Sequence, residues 1–181
     1  MTLALVPTVD DSRTNAAFEE MMWALSRPGF VRTLPSGGWA VMAESLLDRE
    51  CSFHVMNDPD FAQSLARSGA RAVSIDAADY VFTTIETENK VAALSSLRIG
   101  TLAYPDEAAT LIALVRFGFG QGLRLTGPGI KDSVTIALDG VDPSFWRMRA
   151  KAIRYPLGFD VYLVDGDDVI GLPRSTRIEV L

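Results

Sequence analysis

Apolar residues recur along this chain at two spacings, one typical of helices and one typical of strands. The first helical pattern covers residues 11–26 and ends at Pro28-Gly29, because proline cannot continue the hydrogen-bond ladder of a helix. Asp11 or Ser12 is expected to cap its start. The same spacing predicts four more helices, over residues 41–49, 60–67, 88–97 and 143–152. The apolar positions of the first helix are Ala17, Met21, Met22 and Leu25.

Short apolar or alternating segments between these helices predict strands. In the first half of the chain they cover residues 30–34, 52–56, 72–75 and 80–83. From residue 108 onward they follow one another more closely, over residues 110–117, 122–126, 133–138, 159–164, 169–172 and 177–180. Asp165-Gly166-Asp167 predicts a hairpin turn between two of them. The alternation of helices and strands predicts an α/β protein whose helices pack on the faces of a sheet.

Composition limits the class of protein. A length of 181 residues, of which 48% are hydrophobic and 22% charged, is typical of one domain, expected here over residues 1–181. Cys51 is the only cysteine, which favours a reducing compartment. A formal net charge of -6 opposes binding to nucleic acid. No segment approaches the roughly 20 apolar residues of a membrane span, and residues 1–7 do not resemble a signal peptide. We therefore expect a cytoplasmic protein that binds neither membranes nor nucleic acid.

The glycine-rich run at residues 118–122 could let backbone amides approach a phosphate group. A phosphate loop should lead into a helix, whereas residues 123–126 have the pattern of a strand. A hairpin turn is therefore the preferred interpretation. The aspartates at 165, 167 and 168 are also assigned to a turn, because the remaining ligands of a calcium-binding hand are missing around them.

Histidine, cysteine and lysine form no convincing catalytic or metal-binding group in the sequence. His54 is the only histidine, and it follows Cys51 by three residues in a predicted strand, where such positions face opposite sides. A catalytic dyad or triad is thus the less favoured alternative, and His54 is expected to be half-buried or at an interface. Lys90, Lys131 and Lys151 are expected at the surface, which argues against a pyridoxal phosphate Schiff base. We expect no cofactor and no metal ion.

The arginines fall into two groups. One group lies near Lys151, on a face that the sequence predicts to be solvated, and consists of Arg147, Arg149 and Arg154. The other consists of Arg27, Arg124 and Arg174, which together with Thr176 are candidates for an anion-binding or interface site. Guanidinium groups can bind two oxygens of a phosphate or phosphonate at once. The alternative is that these arginines pair with some of the 23 acidic residues, at the surface or across a subunit boundary.

Three motif segments carry a resemblance to a known family. The first motif segment, residues 23–29, is a helix that runs into Pro28-Gly29, and the second, residues 123–130, is a strand that enters a corner with Gly127 and Gly129. The third motif segment, residues 155–179, contains a Pro-Leu-Gly-x-Asp element, a Pro-Arg-Ser-Thr element and the start of a closing Ile-Glu-Val. Their order and spacing resemble the PhnH family, a subunit of the bacterial carbon-phosphorus lyase system. The motif positions expected to be structural are Pro28, Gly29, Gly127, Gly129, Pro156, Gly158, Asp160 and Pro173.

The resemblance implies a three-layer fold, with a mixed sheet flanked by helices, like the large domain of pyridoxal-phosphate-dependent transferases without the cofactor. It also implies a homodimer that associates with PhnG, PhnI and PhnJ. In that system PhnI, helped by PhnG, PhnH and PhnL, replaces the adenine of ATP with a phosphonate to give ribose 1-phosphonate 5-triphosphate, and PhnJ later cleaves the carbon-phosphorus bond. The expected function is that of a non-autonomous subunit with no assigned catalytic residue. The alternative is a free-standing nucleotide- or phosphonate-binding enzyme with an arginine anion site.

Overall fold

The structure is a computed structural model and describes residues 6–181. The helices of this part of the chain are α1 Val9–Ser26, α2 Gly38–Leu46, α3 Pro59–Leu65, α4 Glu88–Ala93 and α5 Ser144–Ala152. Its strands are β1 Arg32–Thr33, β2 Ser52–Val55, β3 Arg71–Ala72, β4 Tyr80–Thr84, β5 Thr110–Leu114, β6 Arg116–Thr126, β7 Val134–Asp139, β8 Asp160–Asp165, β9 Asp168–Leu172 and β10 Arg177–Val180. Short 3-10 turns at Ala66–Ser68 and Leu94–Ser96 extend α3 and α4, and a third, Pro105–Glu107, precedes β5.

The strands form one large and one small sheet. The large sheet has seven strands in the order β1-β9-β8-β5-β4-β2-β3. Its strands from β3 to β8 are parallel, whereas β9 and β1 form an antiparallel edge. In the small sheet β6 lies between β10 and β7 and is antiparallel to both. The predicted α/β class with a mixed sheet is confirmed, and the small sheet is an addition to it.

Each face of the large sheet carries its own hydrophobic core, because successive residues of a strand point to opposite faces. Ile112 of β5 lies in the same core as Met21 of α1, and helices α1 and α2 cover this face. The next residue toward the N-terminus, Leu111, lies in the other core together with Phe145 of α5 and Leu125 of β6. The second face is therefore covered by α4, α5 and the small sheet. The result is a three-layer arrangement in which helices flank the large sheet.

The prediction of one strand over residues 110–117 is wrong, because the chain passes from the large sheet to the small sheet at Val115. The backbone N–H of Val115 still donates to the Val164 carbonyl of the large sheet at 2.9 Å. The next residue, Arg116, already pairs with Asp139 in the small sheet. The sequence shows one apolar run here, and only long-range strand pairing decides where it divides.

The glycine-rich run lies within β6, so the hairpin turn predicted for it is wrong. Phe117 and Gln121 both pair with Leu138, and the residues between them form a bulge. Gly118 and Gly120 have φ angles of 83° and 77° there, a region that glycine enters without the steric cost that other residues meet. The prediction that a strand and not a helix follows the run is confirmed.

The cap predicted for the first helix is also wrong in its position. Thr8 caps α1, since its Oγ1 accepts the backbone N–H of Asp11 at 3.1 Å. The Asp11 carboxylate in turn accepts the backbone N–H of Thr8 at 2.8 Å, which completes a capping box. The Asp11 carboxylate accepts hydrogen bonds from the backbone N–H of Thr8 and from its hydroxyl, each at 2.8 Å, and these two bonds lower the pKa of Asp11. Asp11 is therefore the third residue of the helix, where it completes the capping box, and Thr8 is the cap.

No helix within residues 6–181 has both the length and the apolar character that crossing a membrane requires. The prediction about a signal peptide concerns residues 1–7, and residues 1–5 of that stretch lie outside the described residues.

Candidate functional site

The three motif segments meet in one region of the molecule. β10 begins in the third segment and ends one residue beyond it, and it pairs with β6, whose last part belongs to the second segment. In this pairing Glu179 lies opposite Arg124. The first and second segments are in contact at Gly129, where an added Cβ would clash with the Ser26 carbonyl oxygen and would lie 2.9 Å from Pro28 Cδ. The motif segments thus pack against one another, although the third segment divides between the two sheets, with β8 and β9 in the large sheet and β10 in the small sheet.

A cleft of about 1160 Å³ lies beside this region. Pro105 contributes one wall, and Trp146 and Arg149 of α5 contribute a second. The third motif segment supplies much of the rest, including Arg174 and Thr176. Of the candidate residues predicted from sequence, Arg174 and Thr176 are therefore brought together in this cleft.

The cleft lies at the amino ends of the parallel strands. Arg174 on its wall contacts Asp160, the first residue of β8, and the carbonyl oxygen of Pro105, which lies before β5. Open parallel sheets commonly bind ligands at the carboxyl ends of their strands. The cleft therefore occupies the opposite edge of the sheet, formed where the small sheet and α5 pack against it.

Arg174 is held by an extensive set of hydrogen bonds. Its Nε and Nη2 donate to the two oxygens of Asp160 at 3.2 and 2.7 Å, and its backbone N–H donates to Asp160 Oδ1 at 2.7 Å. Nη1 donates to the carbonyl oxygens of Pro105 at 2.6 Å and Pro156 at 3.4 Å. The charge of Arg174 is thus matched by Asp160, and the residue fixes the geometry of the cleft wall.

Arg149 differs from Arg174, because no carboxylate within residues 6–181 forms an ion pair with it, and its acceptors are backbone carbonyl oxygens. It is only 4% exposed, so the prediction of a solvated position is wrong. Its Nη1 and Nη2 donate to the carbonyl oxygens of Thr176 at 3.3 Å and Pro173 at 2.9 Å. Burial lowers the pKa of Arg149 to about 10, against the opposing charge of Asp160. The guanidinium is therefore still a cation at neutral pH, in contact with neutral acceptors alone.

Arg27 and Arg124, the other two candidate arginines, lie at the surface outside the cleft. Arg27 is exposed at the C-terminal end of α1 and lies over the Trp23 ring, 5.3 Å from its centroid. Arg124 is exposed on the small sheet and donates to Glu179 Oε2 at 2.9 Å, as the alternative of a surface ion pair predicts. Neither residue lines the cleft. Their part in binding an anion or a partner stays a prediction.

The remaining candidate side chains lie outside the cleft. His54 is half-buried, as predicted, and its Nδ1 is 2.8 Å from the carbonyl oxygen of Val73. Cys51 lies near the Leu46 carbonyl, and burial raises the pKa of its thiol. Within residues 6–181, no three His, Cys, Asp or Glu side chains are grouped closely enough to hold a metal ion.

The lysines also lie apart from the cleft. Lys131 and Lys151 are exposed as predicted. Lys90 is half-buried, so the prediction of a surface position is wrong, because its Nζ donates to Thr84 Oγ1 and to Glu86 Oε1. None of these amines lies in a setting suited to a Schiff base with pyridoxal phosphate. The residues that line the cleft include no histidine, cysteine or lysine.

Sequence reasoning missed Trp146 and Arg149 as cleft residues. The signal that could have found them is the helical spacing of α5, in which Arg149 follows the buried Phe145 by four residues and Trp146 by three. An arginine on the apolar face of an amphipathic helix is expected to be buried. A third missed residue, Arg177, is exposed and lines the cleft.

Comparison with known proteins identifies related sequences. Residues 8–179 match the family model described as bacterial phosphonate metabolism protein (PhnH). The C-P lyase subunit protein HtxG of Stutzerimonas stutzeri is 35% identical over 177 residues, which covers 93% of this chain and 87% of that protein. The alpha-D-ribose 1-methylphosphonate 5-triphosphate synthase subunit PhnH of Rhizobium meliloti (strain 1021) is 36% identical over 101 residues, which covers 54% of this chain and 50% of that protein.

Proposed function

The chain belongs to the PhnH family of bacterial phosphonate metabolism proteins, and on this premise we propose that it is a non-autonomous subunit of the C-P lyase complex. Its proposed role is to support formation of ribose 1-phosphonate 5-triphosphate from ATP and a phosphonate. We further propose that it acts in the cytoplasm with PhnG, PhnI and PhnJ as partners. The relatives support the proposal, because both are named as subunits of such a system.

The observation that carries a docking role is an exposed apolar stretch near the start of the chain. Phe18 and Met22 lie one turn apart on α1 and are 47% and 54% exposed. Trp23 follows on the same helix, and Phe30 and Val31 are exposed just beyond its end. Large apolar side chains grouped at the surface are typical of protein interaction sites. The small number of candidate catalytic groups in the cleft agrees with a subunit that acts through partners.

Co-expression with PhnG, PhnI and PhnJ, followed by affinity purification through a tag on this chain, tests the proposal. The wild type should recover PhnI, and Met22→Glu should recover at least about tenfold less, since a charge in the centre of an interface is strongly unfavourable. Gln63→Glu adds the same charge at an exposed position of α3 and should have no effect. A wild-type chain that never co-purifies with PhnI would overturn the proposal.

We also propose that the chain alone is a homodimer and that its large sheet corresponds to that of pyridoxal-phosphate-dependent transferases. Closed two-fold dimers are the commonest form of soluble homo-oligomer. Light scattering on the purified chain at micromolar concentration should give twice the chain mass of 19.7 kDa. A monomer would contradict the dimer but would leave the role as a subunit of the complex intact.

A further inference from the structure

The cleft wall holds a cluster of buried polar atoms that lack a hydrogen-bond partner. Among the residues that the structure describes, four buried side-chain nitrogen or oxygen atoms are unpaired, and three of them belong to Trp146, Arg149 and Thr176. These are the indole Nε1, the guanidinium Nε and the hydroxyl Oγ1. All three residues line the cleft and are at most 6% exposed. Each buried polar group without a hydrogen-bond partner lowers the stability of the folded protein by about 1–3 kcal/mol. A bound molecule that accepts hydrogen bonds from these groups would remove this cost.

Arg149 links the three residues in the fold, because it shares a helix with Trp146 and contacts Thr176. Trp146 and Arg149 are three residues apart on α5, which places them side by side on one helix face. Arg149 also donates to the backbone carbonyl of Thr176, so the threonine lies against the same guanidinium. Two of the three atoms can only donate hydrogen bonds, and the hydroxyl can donate as well. A ligand that satisfies all three must present several acceptor oxygens.

The cleft lining has an excess of positive charge, which favours binding of an anion. Its lining carries the three arginines at 149, 174 and 177 and a single carboxylate, Asp106. Arg174 is matched by Asp160, but Arg149 has only backbone carbonyl oxygens as acceptors. Asp160 also acts on the charge of Arg149, but it is already paired with Arg174, so the two arginines share one carboxylate. A bound anion would supply the missing counter-charge. This positive cleft is notable in a chain whose formal net charge is -6.

We propose that this cleft binds the phosphate or phosphonate group of a small organic molecule, with Arg149, Trp146 and Thr176 donating to its oxygens and Arg177 at the exposed side. The volume of about 1160 Å³ exceeds what a bare oxyanion needs and is slightly above the usual range of small-molecule sites, which favours a ligand with an organic body. Apolar side chains such as Ile153 and Ile178 line the remaining space. This site goes beyond the proposed docking function, because it gives the subunit a ligand of its own.

Calorimetry on the full-length chain with four probes tests the site: inorganic phosphate, methylphosphonate, ribose 5-phosphate and succinate. We expect heat of binding with methylphosphonate, with ribose 5-phosphate or with both, and weaker or no binding of succinate. A response to methylphosphonate alone identifies a phosphonate ligand, and a response to ribose 5-phosphate alone identifies a phosphate monoester. Binding of succinate alone, or of no probe at millimolar concentration, would overturn the inference.

Thr176→Val is the most informative variant, because it removes the unpaired hydroxyl and keeps the side-chain shape. Its thermal stability should equal or exceed that of the wild type, since a buried unpaired group is lost, while affinity for the responding probe should fall about tenfold. Thr135→Val, at an exposed position of β7, is the matched control and should bind as the wild type does. Arg177→Gln changes an exposed side chain and should also weaken binding of the probe. This variant tests the site even if Thr176→Val does not fold. Wild-type affinity in both Thr176→Val and Arg177→Gln would overturn the inference.

Co-purification of Thr176→Val with PhnI separates this inference from the proposed function. The variant should recover PhnI as well as the wild type does, because the apolar stretch on α1 is unchanged. Absence of ligand binding in a wild-type chain that recovers PhnI would overturn the ligand site alone. Ligand binding in a chain that never recovers PhnI would overturn the docking role alone.

Discussion

Arg174 and Asp160 join two elements of the third motif segment through one ion pair. The two side chains are 16% and 22% exposed, and the guanidinium donates to both carboxylate oxygens. The same guanidinium donates to backbone carbonyl oxygens at Pro105 and Pro156. The Pro-Leu-Gly-x-Asp and Pro-Arg-Ser-Thr elements therefore have a shared structural role, which is to close one wall of the cleft.

Breaking this pair should strongly destabilise the protein. Arg174→Ala or Asp160→Asn should each lower the free energy of unfolding by about 2–5 kcal/mol, since either change leaves a largely buried charge without its partner. Urea denaturation followed by circular dichroism measures the change. Arg124→Ala removes the exposed pair with Glu179 and should cost at most about 1 kcal/mol. Similar losses in Arg174→Ala and Arg124→Ala would contradict a structural role for the buried pair.

Gly129 should tolerate no side chain, because it lies against the first motif segment. Gly129→Ala should destabilise the protein by about 2–4 kcal/mol, from the unfavourable φ angle of 82° and from the clash with Ser26 and Pro28. Gly118 has nearly the same φ angle, 83°, and nothing within 4 Å of an added Cβ. Gly118→Ala should therefore show the conformational cost alone, about 1–2 kcal/mol. Equal losses in the two variants, measured by urea denaturation, would show that the contact has no effect.

Asp79 should make stability depend on pH in the acid range. Its carboxylate accepts hydrogen bonds from the Ser52 backbone at 2.7 Å and hydroxyl at 2.6 Å and pairs with Arg98. Burial raises the pKa of Asp79, but the hydrogen bonds of Ser52 and the charge of Arg98 outweigh burial and lower it overall. A lowered pKa gives stability that is complete above the unfolded value of about 3.9 and is lost as pH falls through the folded value.

Asp79→Asn should therefore cost only about 1 kcal/mol at pH near 7, because solvent screens a side chain that is 35% exposed, and progressively less below pH of about 4. Urea denaturation of both proteins across that pH range measures the difference. Asp132→Asn, at an exposed position, should leave the pH profile unchanged. A difference between wild type and Asp79→Asn that stays constant down to pH of about 2 would rule out this assignment.

The three lysines should not form a Schiff base with pyridoxal phosphate. Lys90 is paired with Glu86, and Lys131 and Lys151 are exposed, so none has the desolvated amine that such chemistry requires. Incubation with the cofactor, reduction with borohydride and mass spectrometry should find no lysine modified to more than trace level. Stoichiometric modification of one lysine would instead support a surviving pyridoxal enzyme.

Local sequence by itself determined the order and type of most elements. Asp58 caps α3 and Pro59 occupies its first turn, and both effects act within a few residues of the chain. The turn at Asp165-Gly166-Asp167 joins β8 to β9, since glycine supplies the positive φ that the hairpin needs. The motif segments likewise pointed to the family, because they are contiguous stretches of sequence.

Only the tertiary structure decided which strands share a sheet and which side chains share the cleft. One apolar run became β5 and β6 in different sheets, and Arg149 on α5 came to lie beside Thr176, 27 residues further along the chain. Neither outcome follows from local periodicity, because both depend on pairing and burial between distant segments. The physical reason is that hydrogen bonding and packing within a helix or turn are set by near neighbours, whereas a cleft exists only where separate elements meet.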